Sequence, residues 1–290
     1  MKGQLQPTRR KRKHRPPPPA ESWTARYSIV ALLAVLMIGL AEGSVVLLLL
    51  GRGPLGKGVS GILLDLTLLV ALIPLYRRQP FRPRDLGLRP APAAASVGWV
   101  VLAFIVIGLT NWLWLDKLLG MHAGGSLGVT LHGSTLGLVL IGVFMAGTAP
   151  VVEEIFFRGV LYRSLRNTQS VALAAGITGV IFALVHGLTY PLDTLPPRLV
   201  FGIVTCLLYE RTGSLLPGIA LHCLIDAGGY VTALTGHDHI VFPAFVALGV
   251  VLLVYRGVRL LLAPSELSKH PSHRSRVRRE ASPSEHRAGA

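Results

Sequence analysis

Cysteine and charge are both scarce in this chain. Only two of its 290 residues are cysteines, Cys206 and Cys223, and both lie within apolar segments. Such placement excludes a disulfide framework and a cysteine-based zinc motif. Charged residues make up only 15% of the chain, whereas a soluble domain carries about 25%. The shortage of charge therefore argues against a soluble protein.

Apolar sequence is what the chain has in abundance. Hydrophobic residues make up 51% of it, the mean hydropathy is +0.55, and uncharged runs such as 29–41 and 93–109 are typical of membrane-spanning helices. We therefore predict an all-α fold, a polytopic transmembrane bundle of about eight helices. The predicted helical segments are approximately 27–50, 59–76, 94–115, 135–167, 171–188, 197–210, 214–235 and 240–262.

A formal net charge of +15 could indicate nucleic-acid binding, so the positions of the basic residues matter. They concentrate in the N-terminal tail, the segment 77–84 and the C-terminal tail. Basic flanks beside apolar helices follow the positive-inside rule and contact anionic lipid headgroups. Because the tails lack interleaved aromatic residues and a folded platform, nucleic acid is not a predicted partner. Eight helices place both termini in the cytoplasm of a multi-pass cell-membrane protein.

Composition divides the chain into five regions. We predict a basic, proline-rich, disordered cytoplasmic tail over 1–25 and a basic disordered tail over 264–290. The first apolar run is too long for a signal-peptide core and no Ala-x-Ala site follows it, so we interpret it as a retained helix. Between the tails we assign N-terminal transmembrane helices to 26–134, a helical core to 135–235 and a last transmembrane helix to 236–263.

Two adjacent glutamates, Glu153 and Glu154, lie inside the fourth apolar segment. A carboxylate at bilayer depth costs at least ~2.5 kcal/mol by insertion scales, so the pair is expected to be functional. Glu154 and Arg158 are four residues apart, on one helical face, and are predicted to form an ion pair. Glu153 is rotated by about 100° and has no local partner. Pro150 is expected to kink this long segment or to begin a second half.

Two later segments contain intramembrane histidines. His186 lies near the end of the fifth segment, and His222 and Asp226 lie four apart in the seventh. Each histidine could instead be a hydrogen-bonded core residue without a catalytic role. In that case His222 would form a hydrogen bond with Asp226 that serves only to neutralise both side chains. Measured from the inner turns at ~1.5 Å per residue, Glu153, His186, His222 and Asp226 lie at depths of about 22, 27, 13 and 20 Å. These depths are compatible with one cavity lined by all four side chains.

The three polar motifs together resemble a known family. Glu-Glu-x-x-x-Arg, Phe-x-x-x-His and His-x-x-x-Asn/Asp on successive transmembrane helices are similar to the CAAX proteases and bacteriocin-processing enzymes. This family is also called CPBP or Abi and includes the Rce1-like prenyl proteases. The resemblance covers about residues 135–235. It is based on the following matches: Glu153, Glu154 and Arg158, then Phe182 and His186, then His222 and Asp226.

The resemblance implies an intramembrane endopeptidase that cleaves a membrane-associated protein or peptide within the lipid bilayer. By resemblance, Glu153 activates water as a general base, His186 positions and polarises that water, and His222 and Asp226 face the oxyanion. Glu154, Arg158 and Phe182 are expected to support the site. A carboxylate among apolar groups is a stronger base, and donors placed in a water-poor cavity stabilise developing charge.

Asp226 departs from the family pattern, because the prenyl proteases typically have asparagine at this position. An ionised aspartate only accepts hydrogen bonds, so it holds an oxyanion only when protonated. It can instead orient His222 or bind a metal. His186, His222 and a carboxylate from Glu153 or Asp226 would form a catalytic zinc site with an open position. Zinc is therefore a candidate cofactor, although the chain contains no His-Glu-x-x-His signature.

Other function classes are open at this stage. A proton-coupled transporter is the main alternative, because Glu42 and Asp65 are further acidic residues in apolar segments and suit a proton relay. The lack of an evident internal repeat weakens it. A non-catalytic relative that regulates another membrane protein is a third interpretation. The segment Gly58-Val59-Ser60-Gly61 matches the Gly-x-Ser-Gly of rhomboid serine proteases, but short glycine-rich matches are common by chance.

Overall fold

The structure, a computed structural model, describes residues 24–78, 80–91, 93–120 and 133–235. Within these ranges all regular structure is helical and no strand occurs, which confirms the predicted all-α fold. We number the helices α1 to α8 in chain order. They are α1 Ala25–Leu50, α2 Pro54–Val70, α3 Leu72–Arg78, α4 Ala93–Asn111, α5 Thr135–Arg166, α6 Val171–His186, α7 Leu195–Thr212 and α8 Leu216–Thr235.

Six helical stretches in the described ranges are long and apolar enough to cross a membrane, so the chain is a multi-pass membrane protein. They are α1, α2 with α3, α4 with its continuation to Leu118, α5, α7 with the turn before it, and α8. The apolar α6 is shorter, with 16 residues. Seven of the eight predicted segments are thus helical, and the count of about eight spans is not confirmed. The segment 240–262 and the tail 264–290 lie outside the described residues, as does nearly all of the tail 1–25.

The outer surface of the bundle is apolar. In α1, Met37 is 71% exposed and Leu48 is 85% exposed, whereas Ser28 and Gly43 are buried. The Ser28 hydroxyl donates to the Ser164 hydroxyl of α5 over 3.0 Å. Small and polar side chains therefore face the interior, and large apolar side chains face outward, where a bilayer can solvate them.

The central helix α5 contains the glutamate pair. Its 32 residues would span about 48 Å as an α-helix, which exceeds the ~30 Å hydrocarbon core. The helix continues through Pro150, so the expected second half does not begin there. Instead two segments are π-helical, Phe144–Thr148 and Glu154–Tyr162. Pro150 has no N–H to donate to the preceding turn, and the second π-helical segment begins directly after Glu153. Such wide turns often occur at functional sites.

Helices α6 and α7 cross closely at two glycines. A Cβ atom on Gly202 would lie 2.7 Å from the Cα atom of Gly179 and 3.2 Å from the Cβ atom of Phe182. The crossing brings the ring of Phe182 against that of Phe201, with their centroids 5.4 Å apart. Because His186 follows Phe182 by one helical turn, this crossing fixes the position of His186 as well.

We expect Gly202→Ala to destabilise the protein by about 1–3 kcal/mol, because the added methyl group overpacks this crossing. The measurement is the free energy of unfolding in detergent. Gly176→Ala on α6 is the matched control, since a methyl group there would meet no heavy atom within 4 Å. Alanine also favours a helix more than glycine does. Equal stabilities for the two variants would contradict the close crossing.

The loop between α3 and α4 folds back onto the turn between α7 and α8. The Leu215 N–H donates to the Gly87 carbonyl over 2.8 Å, and Arg89 Nε donates to the Gly213 carbonyl over 2.7 Å. Gly213 has a φ of +64°, which favours glycine. This end of the bundle also holds several further arginines, namely Arg77, Arg78, Arg82, Arg84, Arg163, Arg166 and Arg211.

Candidate active site

Glu154 is the buried centre of the polar cluster. Its side chain is 1% exposed, and its Oε1 atom lies 2.9 Å from Arg158 Nη1, which confirms the predicted ion pair. The same oxygen lies 3.2 Å from His222 Nδ1 on α8. A Cβ atom on Gly218 would lie 3.1 Å from Glu154 Oε2, so only a very small residue lets α8 approach this closely. Glu154 therefore joins α5 to α8, a contact that sequence spacing did not predict.

Arg158 is completely buried among aromatic rings. Its guanidinium carbon lies 4.7 Å from the ring centroid of Phe182 and 5.5 Å from that of Phe201. Arg158 Nη2 donates to the Thr205 hydroxyl, which in turn donates to the Phe201 carbonyl over 2.8 Å. Phe201 and Thr205 belong to α7, which the sequence identified only as an apolar segment. Their spacing of four residues on one helical face was the available signal.

Glu153 and His186 face each other near the surface of the cluster. Glu153 Oε2 lies 4.0 Å from His186 Nε2, and the two side chains are 18% and 19% exposed. His186 Nδ1 lies 2.8 Å from the Phe182 carbonyl oxygen. Because a carbonyl only accepts, Nδ1 has the proton in the neutral ring and Nε2 presents a lone pair. Glu153 Oε2 is buried and has no hydrogen-bond partner among the described residues.

His222 lies between two carboxylates. Its Nδ1 atom faces Glu154, and its Nε2 atom lies 3.4 Å from Asp226 Oδ2. A neutral imidazole has only one N–H, so the ring can donate to both carboxylates only as an imidazolium. His222 is 5% exposed and Asp226 is 30% exposed, so Asp226 lies on the open side. His222 therefore contacts Glu154 on α5 as well as Asp226 on its own helix.

Phe182 connects the two histidines. Its ring centroid lies 4.3 Å from that of His186 and 6.3 Å from that of His222. The ring of Phe182 therefore contacts both the Glu153–His186 pair, through His186, and the His222–Asp226 pair, through His222. All seven residues of the three motifs belong to one continuous cluster, in the half of the bundle where α6 ends.

The other singled-out polar residues have partners on neighbouring helices. The Thr67 hydroxyl of α2 donates to Glu42 of α1 over 2.8 Å. The Thr148 hydroxyl of α5 donates to Asp65 of α2 over 2.6 Å. Each acidic residue therefore has its own threonine, and these contacts do not form a continuous relay. Ser60 of the Gly-x-Ser-Gly match packs on α1, because a Cβ atom on Gly43 would lie 2.8 Å from its Oγ atom.

The candidate metal ligands are Glu153, His186, His222 and Asp226. Within the described residues no group of three His, Cys, Asp or Glu side chains is arranged to hold a metal ion. Both ring nitrogens of His222 face carboxylates, and Glu153 with His186 provides only two donors. A catalytic zinc site needs three protein ligands around an open position. This donor arrangement does not fit such a site. The zinc prediction is untested and requires metal analysis of the protein.

One of the comparisons with known proteins found a similar family. Residues 135–228 match a family model described as type II CAAX prenyl endopeptidase Rce1-like. The matched range covers α5, α6, α7 and the part of α8 that contains His222 and Asp226. Comparison with curated proteins and with solved structures gave no match.

Proposed function

We propose that this chain, whose residues 135–228 belong to the Rce1-like family, is an intramembrane endopeptidase that cleaves a membrane-associated protein or peptide with a water activated by Glu153. The proposal rests mainly on one distance, the 4.0 Å between Glu153 Oε2 and His186 Nε2. An ionised carboxylate oxygen and an imidazole lone pair are both acceptors. A water molecule has two O–H donors and suits such a pair.

The geometry supports a bridging water as the nucleophile. A water at about 2.8 Å from each atom would form an angle of about 90° at its oxygen. Its two O–H bonds would point at Glu153 and His186, so its lone pairs would point outward to the carbonyl carbon of the scissile bond. Glu153 then takes the proton as the oxygen attacks, and transfers it to the leaving amine.

His222 supplies the donor for the oxyanion in this proposal. Its Nε2 atom is 3.4 Å from Asp226, longer than the usual ~2.9 Å hydrogen bond, so this N–H is weakly held. An oxyanion that forms nearby attracts the same N–H, and a preplaced cationic ring stabilises the charge strongly. Asp226 then acts by orienting His222 and needs no proton of its own.

The substrate would reach the active site from within the lipid bilayer. The helices present apolar side chains outward, and Glu153, His186 and Asp226 are partly exposed. A substrate segment that lies in the bilayer can therefore reach them from the lipid. The arginine-rich end of the bundle would face the cytoplasm by the positive-inside rule. In the cell membrane, where we propose that the protein lies, the open half of the site would then be toward the opposite side.

The test of the function is a comparison of membrane-protein termini. Cells that express the wild-type chain should accumulate new peptide termini that are missing in cells that express Glu153→Gln at equal abundance. The same purified proteins in liposomes test the transporter alternative. Proton-driven solute uptake without any new termini would overturn the peptidase and favour transport.

We expect peptidase activity to persist after dialysis of the purified protein against EDTA. Glu153 and His186 provide only two metal donors, and both ring nitrogens of His222 face carboxylates. The measurement is the cleavage rate before and after chelation, together with metal analysis of the protein. A loss of activity that stoichiometric Zn²⁺ restores would contradict this expectation and assign a metal role to these ligands.

A further inference from the structure

A second polar cluster lies beside the site, between the end of α6 and the start of α7. The guanidinium of Arg198 lies 4.1 Å over the ring of Tyr190. Arg198 Nη1 donates to the Thr194 carbonyl over 2.7 Å and to the Thr194 hydroxyl over 2.6 Å. The loop itself is held by Trp114, whose Nε1 donates to the Asp193 carbonyl over 2.7 Å. Arg198 therefore has a fixed position, and its contacts with Thr194 use one of its three nitrogens.

This arginine is close to the catalytic groups without pairing with them. The rings of Tyr190 and His186 are stacked, with centroids 6.1 Å apart and an interplanar angle of 20°. Arg198 is near enough to Asp226 for an electrostatic interaction between the two side chains. Yet the ion pairs found among the described residues do not include one between Arg198 and a carboxylate. Arg198, which also has a side-chain hydrogen bond with Tyr190, is therefore not paired with a carboxylate of the described residues.

The position of Arg198 is unfavourable for stability alone. It lies in the first turn of α7, where the helix dipole is positive and repels a cation. An arginine within an apolar segment also costs free energy of insertion. Neither contribution favours Arg198 as a purely stabilising residue, and a guanidinium matches the geometry of a carboxylate.

We propose that Arg198, supported by Tyr190 and Thr194, binds a carboxylate of the peptide substrate beside the scissile bond. This carboxylate belongs either to the chain terminus of the peptide or to an acidic side chain. The inference rests on the proposed peptidase function and deepens it, because it names a feature that the substrate must have. Arg198 acts on substrate selection, and Glu153 and His186 act on the water.

The test uses synthetic apolar peptides with a fluorophore and a quencher, cleaved by the full chain in nanodiscs. Each peptide is made with a free carboxylate or an amide at its C-terminus, and with Asp or Asn at a central position. For Arg198→Gln we expect kcat/KM on carboxylate peptides to fall at least about tenfold relative to the neutral versions, because a charge-assisted hydrogen bond is lost. The change should appear mainly in KM, and Arg198→Lys should restore part of it.

Arg211→Gln is the matched control. Arg211 is on the same helix, also lies over an aromatic ring, that of Trp99 at 4.6 Å, and is about 20 Å further along the axis. Its substitution should leave the ratio between carboxylate and neutral peptides unchanged. If Arg198→Gln changes the kcat/KM ratio between the free C-terminus and its amide, Arg198 binds the terminal carboxylate. If it changes the ratio between the Asp and Asn peptides, Arg198 binds the acidic side chain. An equal effect of Arg198→Gln on all peptides, or no effect, would overturn the inference.

A measurement of peptide binding tests the Arg198 subsite independently of the proposed peptidase activity. The same peptides are titrated into the Glu153→Gln protein, with and without Arg198→Gln, and fluorescence anisotropy gives Kd. If no peptide is cleaved better by the wild type than by Glu153→Gln, the peptidase proposal fails. Weaker binding of carboxylate peptides on Arg198→Gln would then still support the subsite, and unchanged binding would reject it.

Discussion

Glu153→Gln is expected to lower the rate of peptide cleavage by about 10²- to 10⁴-fold, the usual contribution of a positioned general base. Glutamine has the shape of glutamate and still accepts hydrogen bonds, but it cannot take a proton from water. Glu153 Oε2 has no hydrogen-bond partner in the described part of the chain, so the substitution removes no hydrogen bond of this atom there. The measurement is kcat in nanodiscs on a substrate identified from the membrane-protein termini.

Stability is measured in parallel, because a loss of activity has meaning only in a folded protein. The unfolding midpoint of Glu153→Gln in detergent should equal that of the wild type. Glu42→Gln is the matched control, since Glu42 is also a glutamate within a span and its bond from Thr67 can be kept by glutamine. Cleavage by Glu153→Gln at more than a tenth of the wild-type rate would reject the general base. An equal loss in Glu42→Gln would show a general effect of charge removal.

The parts of the site that the sequence predicted are local ones. Glu154 with Arg158 and His222 with Asp226 are each four residues apart on one helix, so helical geometry alone places them on a common face. Seven helical segments could likewise be drawn from runs of apolar residues, because the bilayer demands such runs. The Glu154–Arg158 pair, confirmed at 2.9 Å, is a contact within one helix that residue spacing alone can predict.

The contacts between helices could not be predicted in the same way. Residue counting gives the depth of a side chain along its helix, but the rotation of one helix against another depends on packing. For this reason the bond from His222 to Glu154 and the bond from Arg158 to Thr205 were both missed. The π-helical turns after Glu153 were not predicted either, because Pro150 indicated only a kink or the start of a second half.

Glu154→Gln is expected to lower the stability of the protein, whereas Glu153→Gln lowers only its activity. The expected destabilisation is about 3–5 kcal/mol. Removal of one partner from a buried ion pair leaves the other charge without compensation, and Arg158 is 0% exposed. His222 would also lose the carboxylate that faces its Nδ1 atom. The measurement is the free energy of unfolding in mixed micelles, supported by the abundance of the protein in isolated membranes.

Glu210→Gln provides the control for this effect, because its pair with Arg166 is wider, at 3.4 Å, and both side chains are more than a fifth exposed. Exposed pairs of this kind contribute only about 0–1 kcal/mol. Stability close to that of the wild type in Glu154→Gln would contradict the buried cluster around Arg158. The decisive pattern is the contrast between adjacent residues, in which Glu153→Gln gives a stable protein without activity and Glu154→Gln gives an unstable one. This contrast follows because Glu153 faces the open side of the cluster, whereas Glu154 holds α5 to α8.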